Sequence, residues 1–439
     1  MINRLTVWIC LLMLVIPLNA QDTDTPAVGV LQSSDAVSEG YVLFSPVFDE
    51  NVYLIDNDGH LINRWQTGSP LLSVYLLDNG DLLGTQVRPN SEINFPAGGT
   101  GRVVRYDWDN NLIWTYDLDL PYVQLHHDVA LLPNGNILLS MWEILPPEQF
   151  STYGFDPTTV PHGRPGLYFD NLIEVEPLSG EIVWRWRLLD HSVQDYDPTR
   201  PNYGVPAMNP HLIDINYSHR DPESANRTHI NAIDYDSERG HILVSSHFHS
   251  EIWVIDHATQ ELIYRWGNPA VYGRGLPDSR QLFTQHDPTW LPDGNILIFS
   301  NGTEADAQYS TVLEIAPPYN PETGRYDLLD GAAYAPFEPI WTYDPEKPFF
   351  ARNMSGAQRL PNGNTFITQA PDGRLFEVDS NGEIVWSYQN PFWVGGEETV
   401  TPTAIFRANR YLPDHPAFDG RTLQRGEELG FTLMDPRTP

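Results

Sequence analysis

Cysteine occurs once in the 439 residues, as Cys10, and lysine plus arginine number 25 against 58 aspartates and glutamates. A single thiol at the extreme N-terminus excludes a disulfide scaffold, a cysteine zinc site and a cysteine nucleophile from the mature chain. The shortage of cations leaves a formal net charge of −33. Such a surface repels a phosphate backbone, so no nucleic-acid partner is expected, and an anionic substrate needs a local cationic pocket. Long helical periodicity is missing, as are the G-x-x-x-x-G-K-S/T phosphate loop, the G-x-S-x-G nucleophile elbow and the H-E-x-x-H metal helix. Apolar side chains are not scarce. With 41% hydrophobic residues, 13 Trp, 21 Tyr and 18 Phe, the chain can build a large core, which excludes disorder over most of its length.

The N-terminus holds one long apolar run. Arg4 precedes Leu5 to Leu18, interrupted only by Thr6 and Pro17, and Leu18-Asn19-Ala20 offers small-residue cleavage before Gln21. Residues 1–20 therefore read as a secretory signal and 21–39 as a linker. No Leu-x-x-Cys lipoprotein pattern follows, so an exported chain without a membrane span after cleavage is expected. An uncleaved anchor is the alternative.

Two short β-rich units then alternate. The first is a strand, an LPNG-type turn and a second strand: LLSVYLLDNGDLLGT from Leu71, HDVALLPNGNILLS from His127, HDPTWLPDGNILIFS from His286 and SGAQRLPNGNTFIT from Ser355, with a divergent copy from His229. The second ends in Trp or an aromatic pair, as in VYLIDNDGHLINRW from Val52 and LFEVDSNGEIVWSY from Leu375. Trp at these ends reads as packing between repeats. Two hairpins per repeat make a four-stranded blade, and six copies of the second unit predict an all-β, six-bladed β-propeller over residues 40–412, with a C-terminal tail over 413–439. The missing inner strand is TAIFRANRYLP from Thr403, paired with YVLFSP from Tyr41, so both termini close the last blade and remove its free edge. Insertions at 143–171 and 188–228 are expected to cover one mouth of the channel.

Aligned on their turns, the inner strands bring Leu72, His127, His229, His286, Ser355 and Thr403 to that mouth. Converging imidazoles can bind a metal, act as acid and base, or supply a nucleophilic nitrogen. Asp128 and Asp287 follow two of the histidines, but strand alternation turns neighbours to opposite faces, so they read as organising strands or blade interfaces. His126 reads as buried or structural for the same reason. Arg352, just before Ser355, is placed to reach the mouth, against the alternative of a surface arginine. Tyr153, Phe155, Tyr168 and Phe169 are placed to stack on an aryl ring or to form the insertion's own small core.

The series HHDVALLPNGNIL, THINAIDYD, QHDPTWLPDGNILIFSNG and SGAQRLPNGN resembles the bacterial arylsulfate sulfotransferases, exported enzymes that do not use the nucleotide sulfate donor. The resemblance spans about residues 40–411. It implies transfer of a sulfuryl group from a phenolic ester to another phenol without cofactor or metal, with His286 as nucleophile and His127 and His229 as supporting catalytic residues. His247 stands where the family carries an arginine, so it and Arg352 are the expected substrate-binding residues. That substitution puts identical substrate handling in doubt. The N-terminal sandwich and the paired cysteines of some members are also missing. Two other readings stand beside this one: a metal-dependent hydrolase or lyase on the same histidines, and a non-catalytic ligand-binding propeller.

Overall fold

The computed structural model describes residues 27–88, 98–161, 166–217, 224–303, 308–345, 348–393 and 401–430. The expected signal over 1–20, with Cys10, lies outside the described residues, as do 431–439. Among the described residues no helix is long and apolar enough to cross a membrane.

Each LPNG turn folds alike. Leu132 N–H donates to Asn136 O (2.8 Å) and Gly135 N–H to Leu132 O (2.9 Å), and the pair recurs at Leu291 and at Leu360. Gly135, Gly294 and Gly363 hold φ of 86°, 86° and 89°, a left-handed conformation that side chains disfavour. Such hairpins build six antiparallel blades around an axis, five of them four-stranded and the last five-stranded. Blade 1 combines Tyr41–Pro46, Asn51–Asp56 and Leu61–Gln66 with Ile405–Tyr411. Blades 2 to 6 begin with inner strands Leu71–Leu76, Val123–Leu131, Ile230–Asp236, His286–Trp290 and Gly356–Arg359. The ring closes as the sequence predicts, with Tyr41 opposite Tyr411 and Phe44 opposite Ala408.

The core is divided among the blade interfaces. One buried cluster joins each neighbouring pair, from Leu43, Trp65 and Leu82 between blades 1 and 2 to Phe44, Phe366 and Trp386 between blades 6 and 1. Outer-strand tryptophans also donate across these interfaces: Trp65 to Asp107 O (2.8 Å), Trp114 to Pro177 O (2.8 Å), Trp186 to Gln260 O (3.1 Å) and, closing the ring, Trp386 to Asn57 O (2.8 Å). Trp thus packs with its apolar body while its one donor is satisfied.

The terminal segments are more structured than expected. Within the expected linker, Gly29–Ser33 pairs with Ile384–Gln389 as a fifth strand of blade 6. Within the expected tail, Phe418 packs edge-on to Tyr41 at 4.8 Å, and buried Leu429 donates its N–H to Gly59 O. The two insertions bind each other: Asn216 donates to Gly154 O (3.0 Å), and Arg227 donates to Thr159 O (3.1 Å).

Candidate active site

The inner strands share an irregularity at one end. Pairing slips between Leu139 and Met141, between Ile230 and Ile233, and between His286 and Thr289. His127, His229, Asp287 and Ser355 take left-handed φ of 50°, 56°, 53° and 80° there. Such backbone costs about 1–2 kcal/mol per residue and persists only where the surroundings enforce it. Its effect is to break strand alternation, so consecutive side chains can gather on one side.

Four imidazoles line up as a result. Ring centroids are 4.6 Å apart for His127 and His229, 5.3 Å for His229 and His247, and 5.0 Å for His247 and His286. His127 and His286 are each 3% exposed. Burial, then the neighbouring imidazoles, push His127 well below the ordinary histidine value. Burial first, then His247, does the same to His286. Both rings are therefore neutral at neutral pH.

The tautomer of His286 follows from its neighbours. Asn301 Nδ2 donates to Ala351 O (2.7 Å) and Met354 O (3.0 Å), which fixes the amide so that Oδ1 faces His286 Nδ1 at 2.7 Å. An oxygen accepts only, so Nδ1 carries the proton and Nε2 the lone pair. At rest Nε2 accepts the Met354 N–H at 3.2 Å. A neutral, oriented imidazole with its lone pair on the inner nitrogen is a competent nucleophile. His229 is set the other way: Asn226 Nδ2 lies 2.8 Å from its Nδ1, and donation there leaves the proton on Nε2.

The sequence profile of the family described as Arylsulfotransferase (ASST) matches residues 28–375, most of the chain. The chain belongs to the arylsulfotransferase family. Membership supports an aryl sulfotransferase activity on small aryl substrates in general terms. No curated protein matches the chain. Among solved structures, a Bacteroides caccae protein of unknown function shares 13% identity over 84% of this chain and 98% of its own, with TM-score 0.45. A β-propeller domain from Myceliophteria thermophila shares 14% over 83% and 90%, with TM-score 0.42. Virginiamycin B lyase from Staphylococcus aureus shares 11% over 84% and 85%, with TM-score 0.38. None of these distant likenesses carries weight for the site.

In this arylsulfotransferase the structure brings His127, His229, His247 and His286 together, and His247 occupies the middle of the row. Arg352 is exposed, in the segment whose Ala351 and Met354 carbonyls hold Asn301. Two register expectations need correction. In blade 4, counting from the turn puts Asn231 opposite the His127 position, and His229 enters from just before the strand. Thr403 precedes its strand and bonds to Asp372 O (3.2 Å). Counting five residues back from Leu412-Pro413, as from Leu132-Pro133 to His127, lands on Arg407.

Arg407 is a buried cation that the sequence alone did not single out. Only 4% exposed, it places Nε 2.9 Å from Asp287 Oδ1 and Nη1 3.1 Å from Asp128 Oδ2. Asp128 also accepts from Tyr75 Oη (2.7 Å) and the Ile233 N–H (2.9 Å), so both aspartates bind blades together, as expected. Burial works against the Arg407 charge, but the two carboxylates outweigh it. Burial raises Asp287 to about 6 despite Arg407. The insertion aromatics split: Phe155 and Phe169 pack at 5.6 Å as a local core, Tyr153 Oη bonds Arg187 (3.0 Å), and Tyr168 lies 6.5 Å from Trp142. The rings beside the histidines are instead Trp142, 5.7 Å from His127 and 5.9 Å from His229, Phe248, 5.0 Å from His229, and Phe406, 6.1 Å from His127. Among the described residues, the three-ligand cluster close enough to share a metal ion is Asp56, Asp58 and His60, in a turn of blade 1. There Arg425 lies 2.7 Å from each of the two aspartates.

Proposed function

We propose that the chain moves a sulfuryl group from a phenolic sulfate ester to a phenolic acceptor in two steps, through a sulfohistidine at His286. The observation that carries this reading is the Asn301 clamp, which leaves the lone pair of a neutral His286 on Nε2, where at rest it accepts the Met354 N–H. In the first step Nε2 forms a bond to sulfur, the bond from sulfur to the aryl oxygen breaks, and its electron pair leaves with the phenolate. In the second step the acceptor oxygen bonds sulfur and the pair returns to Nε2. The N–H groups of His229 and Met354 stand where they can donate to sulfuryl oxygens, and His247 takes the place of the family's arginine between them. Because His127 is neutral at rest, it serves as the acceptor of a proton; a resting imidazolium there is not the form that burial favours. Arg352 is assigned to the entry side. Phe406 and Phe248 are the walls for the aryl ring. We further propose that the chain is exported, with residues 1–20 cleaved; the N-terminal sequence of mature protein recovered outside the cytoplasm tests this.

Mass spectrometry of protein incubated with 4-nitrophenyl sulfate alone tests the mechanism. A gain of one SO3 unit on His286, without nucleotide and unaffected by chelator, is the expected result. Label on another residue removes His286 as nucleophile, and activity lost to EDTA and restored by metal points instead to the metal-dependent reading.

A further inference from the structure

His126, next to the site, has a defined arrangement that the mechanism so far leaves unused. It is fully buried, its ring lies on Trp142 at 4.1 Å with 14° between planes, and its Nδ1 is 3.0 Å from His127 Nδ1. Its other nitrogen, Nε2, is 3.1 Å from Oδ1 of Asp170, a carboxylate with no solvent exposure, a close charge contact whose angle falls outside hydrogen-bond geometry. Asp170 in turn accepts the Ile230 N–H (2.9 Å) and the Thr228 hydroxyl, both from the chain entering blade 4. Adjacent strand residues meet in this way only because His127 is left-handed. Opposite His127, Gly98 lies so close that a Cβ there would fall 2.0 Å from Cε1, so no larger residue fits beside this ring.

We propose that Asp170 and His126 are positioning residues that hold His127 in the tautomer able to take the acceptor's proton. A carboxylate facing Nε2 keeps the His126 proton on that nitrogen, so Nδ1 of His126 is an acceptor. His127 must then donate from its own Nδ1, and its Nε2 is left with the lone pair. The inference rests on the sulfuryl-transfer reading above. In the acceptor step the phenol oxygen bonds sulfur, the bond from sulfur to His286 Nε2 breaks with its electron pair returning to Nε2, and the hydroxyl proton passes to His127 Nε2. The positive charge created on His127 is shared through His126 with Asp170. That stabilisation is absent before proton transfer, so it acts on the barrier more than on binding.

The test separates the two half-reactions. Release of 4-nitrophenolate in a pre-steady-state burst reports the donor step, because this phenolate leaves without a proton. Decay of the sulfurylated protein on addition of phenol reports the acceptor step. Asp170→Asn and His126→Asn are expected to slow the acceptor step at least about tenfold more than the donor step. The deficit should be largest with weakly acidic phenols and shrink with phenols already ionised at the assay pH. Equal slowing of both steps for every acceptor, as a merely structural role would give, overturns the relay. Should these buried variants fail to fold, long-range 15N–1H NMR of histidine-labelled wild-type protein reads the tautomers directly. His127 protonated on Nδ1 supports the proposal, and His127 protonated on Nε2 overturns it. A wild-type chain with no burst overturns the transfer reading itself, whereas a wild-type burst with uniform variant losses overturns the relay alone.

Discussion

The two halves of the channel mouth are built on the same strand repeat and carry opposite chemistry. Blades 3 to 5 present His127, His229, His247 and His286, held by amides and carboxylates. The strands of blades 6, 1 and 2 present Met354, Phe406 and Leu72, a buried apolar cluster with Ala370 and Ala404. The repeat fixes where an inner strand arrives, and side-chain identity then decides what that arc does. One arc carries imidazoles that suit an anionic sulfuryl group, while the clustered side chains of the other are apolar and suit an aryl ring. The contact between them is short: His127 lies 6.1 Å from Phe406, and the Met354 N–H bonds His286.

The hardest blow to the polar arc is His286→Asn. Transfer should fall by at least about a thousandfold, because the covalent route is gone and only binding and electrostatic effects remain. Label from donor alone should disappear with it. A variant that keeps its label would move the nucleophile to another imidazole and dissolve the division of labour between the arcs.

Beneath both arcs sits Arg407, which tests whether they share one foundation. Arg407→Met leaves Asp128 and Asp287 buried without their cation, a loss of about 3–5 kcal/mol by the usual cost of breaking a buried pair. The pH dependence has a definite sign. Asp287 already titrates near 6 in the native state, above its ordinary value of 3.8, so the native state binds more protons than the unfolded chain in that window. Stability tied to this group is present below 3.8 and lost as pH rises through about 6. Without Arg407 the native pKa rises further, so the melting-temperature deficit should be greater at pH 8 than at pH 5. A deficit that grows on acidification would contradict the assignment.

Much of this architecture is written in the chain. LPNG turns and terminal tryptophans expose the repeat because each blade must satisfy the same turn geometry and bury the same interface. His127 and His286 are found by counting five residues back from Leu-Pro. Arg407 obeys the same count from Leu412, whereas the expectation named Thr403, four residues earlier in the chain. Asn301 follows its strand as Ser-Asn-Gly, a visible signal whose meaning needs the Ala351 and Met354 carbonyls that orient it. His126 and Asp170 had no signal of this kind. Strand alternation argues against adjacent histidines meeting, and only the left-handed backbone at His127 overrides it.

Asn301→Ala sharpens the comparison from the polar side. It removes the acceptor that keeps the His286 proton on Nδ1, so the ring can populate the tautomer whose Nε2 has no lone pair. A drop in the donor burst rate of about a hundredfold is expected, in line with losing the group that orients a catalytic imidazole. The acid limb offers a further check. Wild-type donor turnover should persist well below pH 6.5, the ordinary imidazole value, because burial holds His286 neutral there. Loss of turnover centred at 6.5 or above would mean that the ring is not buried in the way the structure shows.

The smallest effect belongs to the apolar arc. Phe406→Leu keeps bulk in the cluster of Leu72, Met354, Ala370 and Ala404 but removes the aromatic face beside His127. A ring-to-ring contact contributes about 0.5–1.5 kcal/mol, so KM for aryl sulfates should rise roughly two- to tenfold. Because the aryl group is held in the ground state and the transition state alike, kcat should stay nearly constant. The matched expectation on the polar arc is the reverse, a fall in kcat with little change in KM. If Phe406→Leu instead lowers kcat and leaves KM untouched, the aryl ring is not held by this arc, and Phe248 beside His229 becomes the surface against which it stacks.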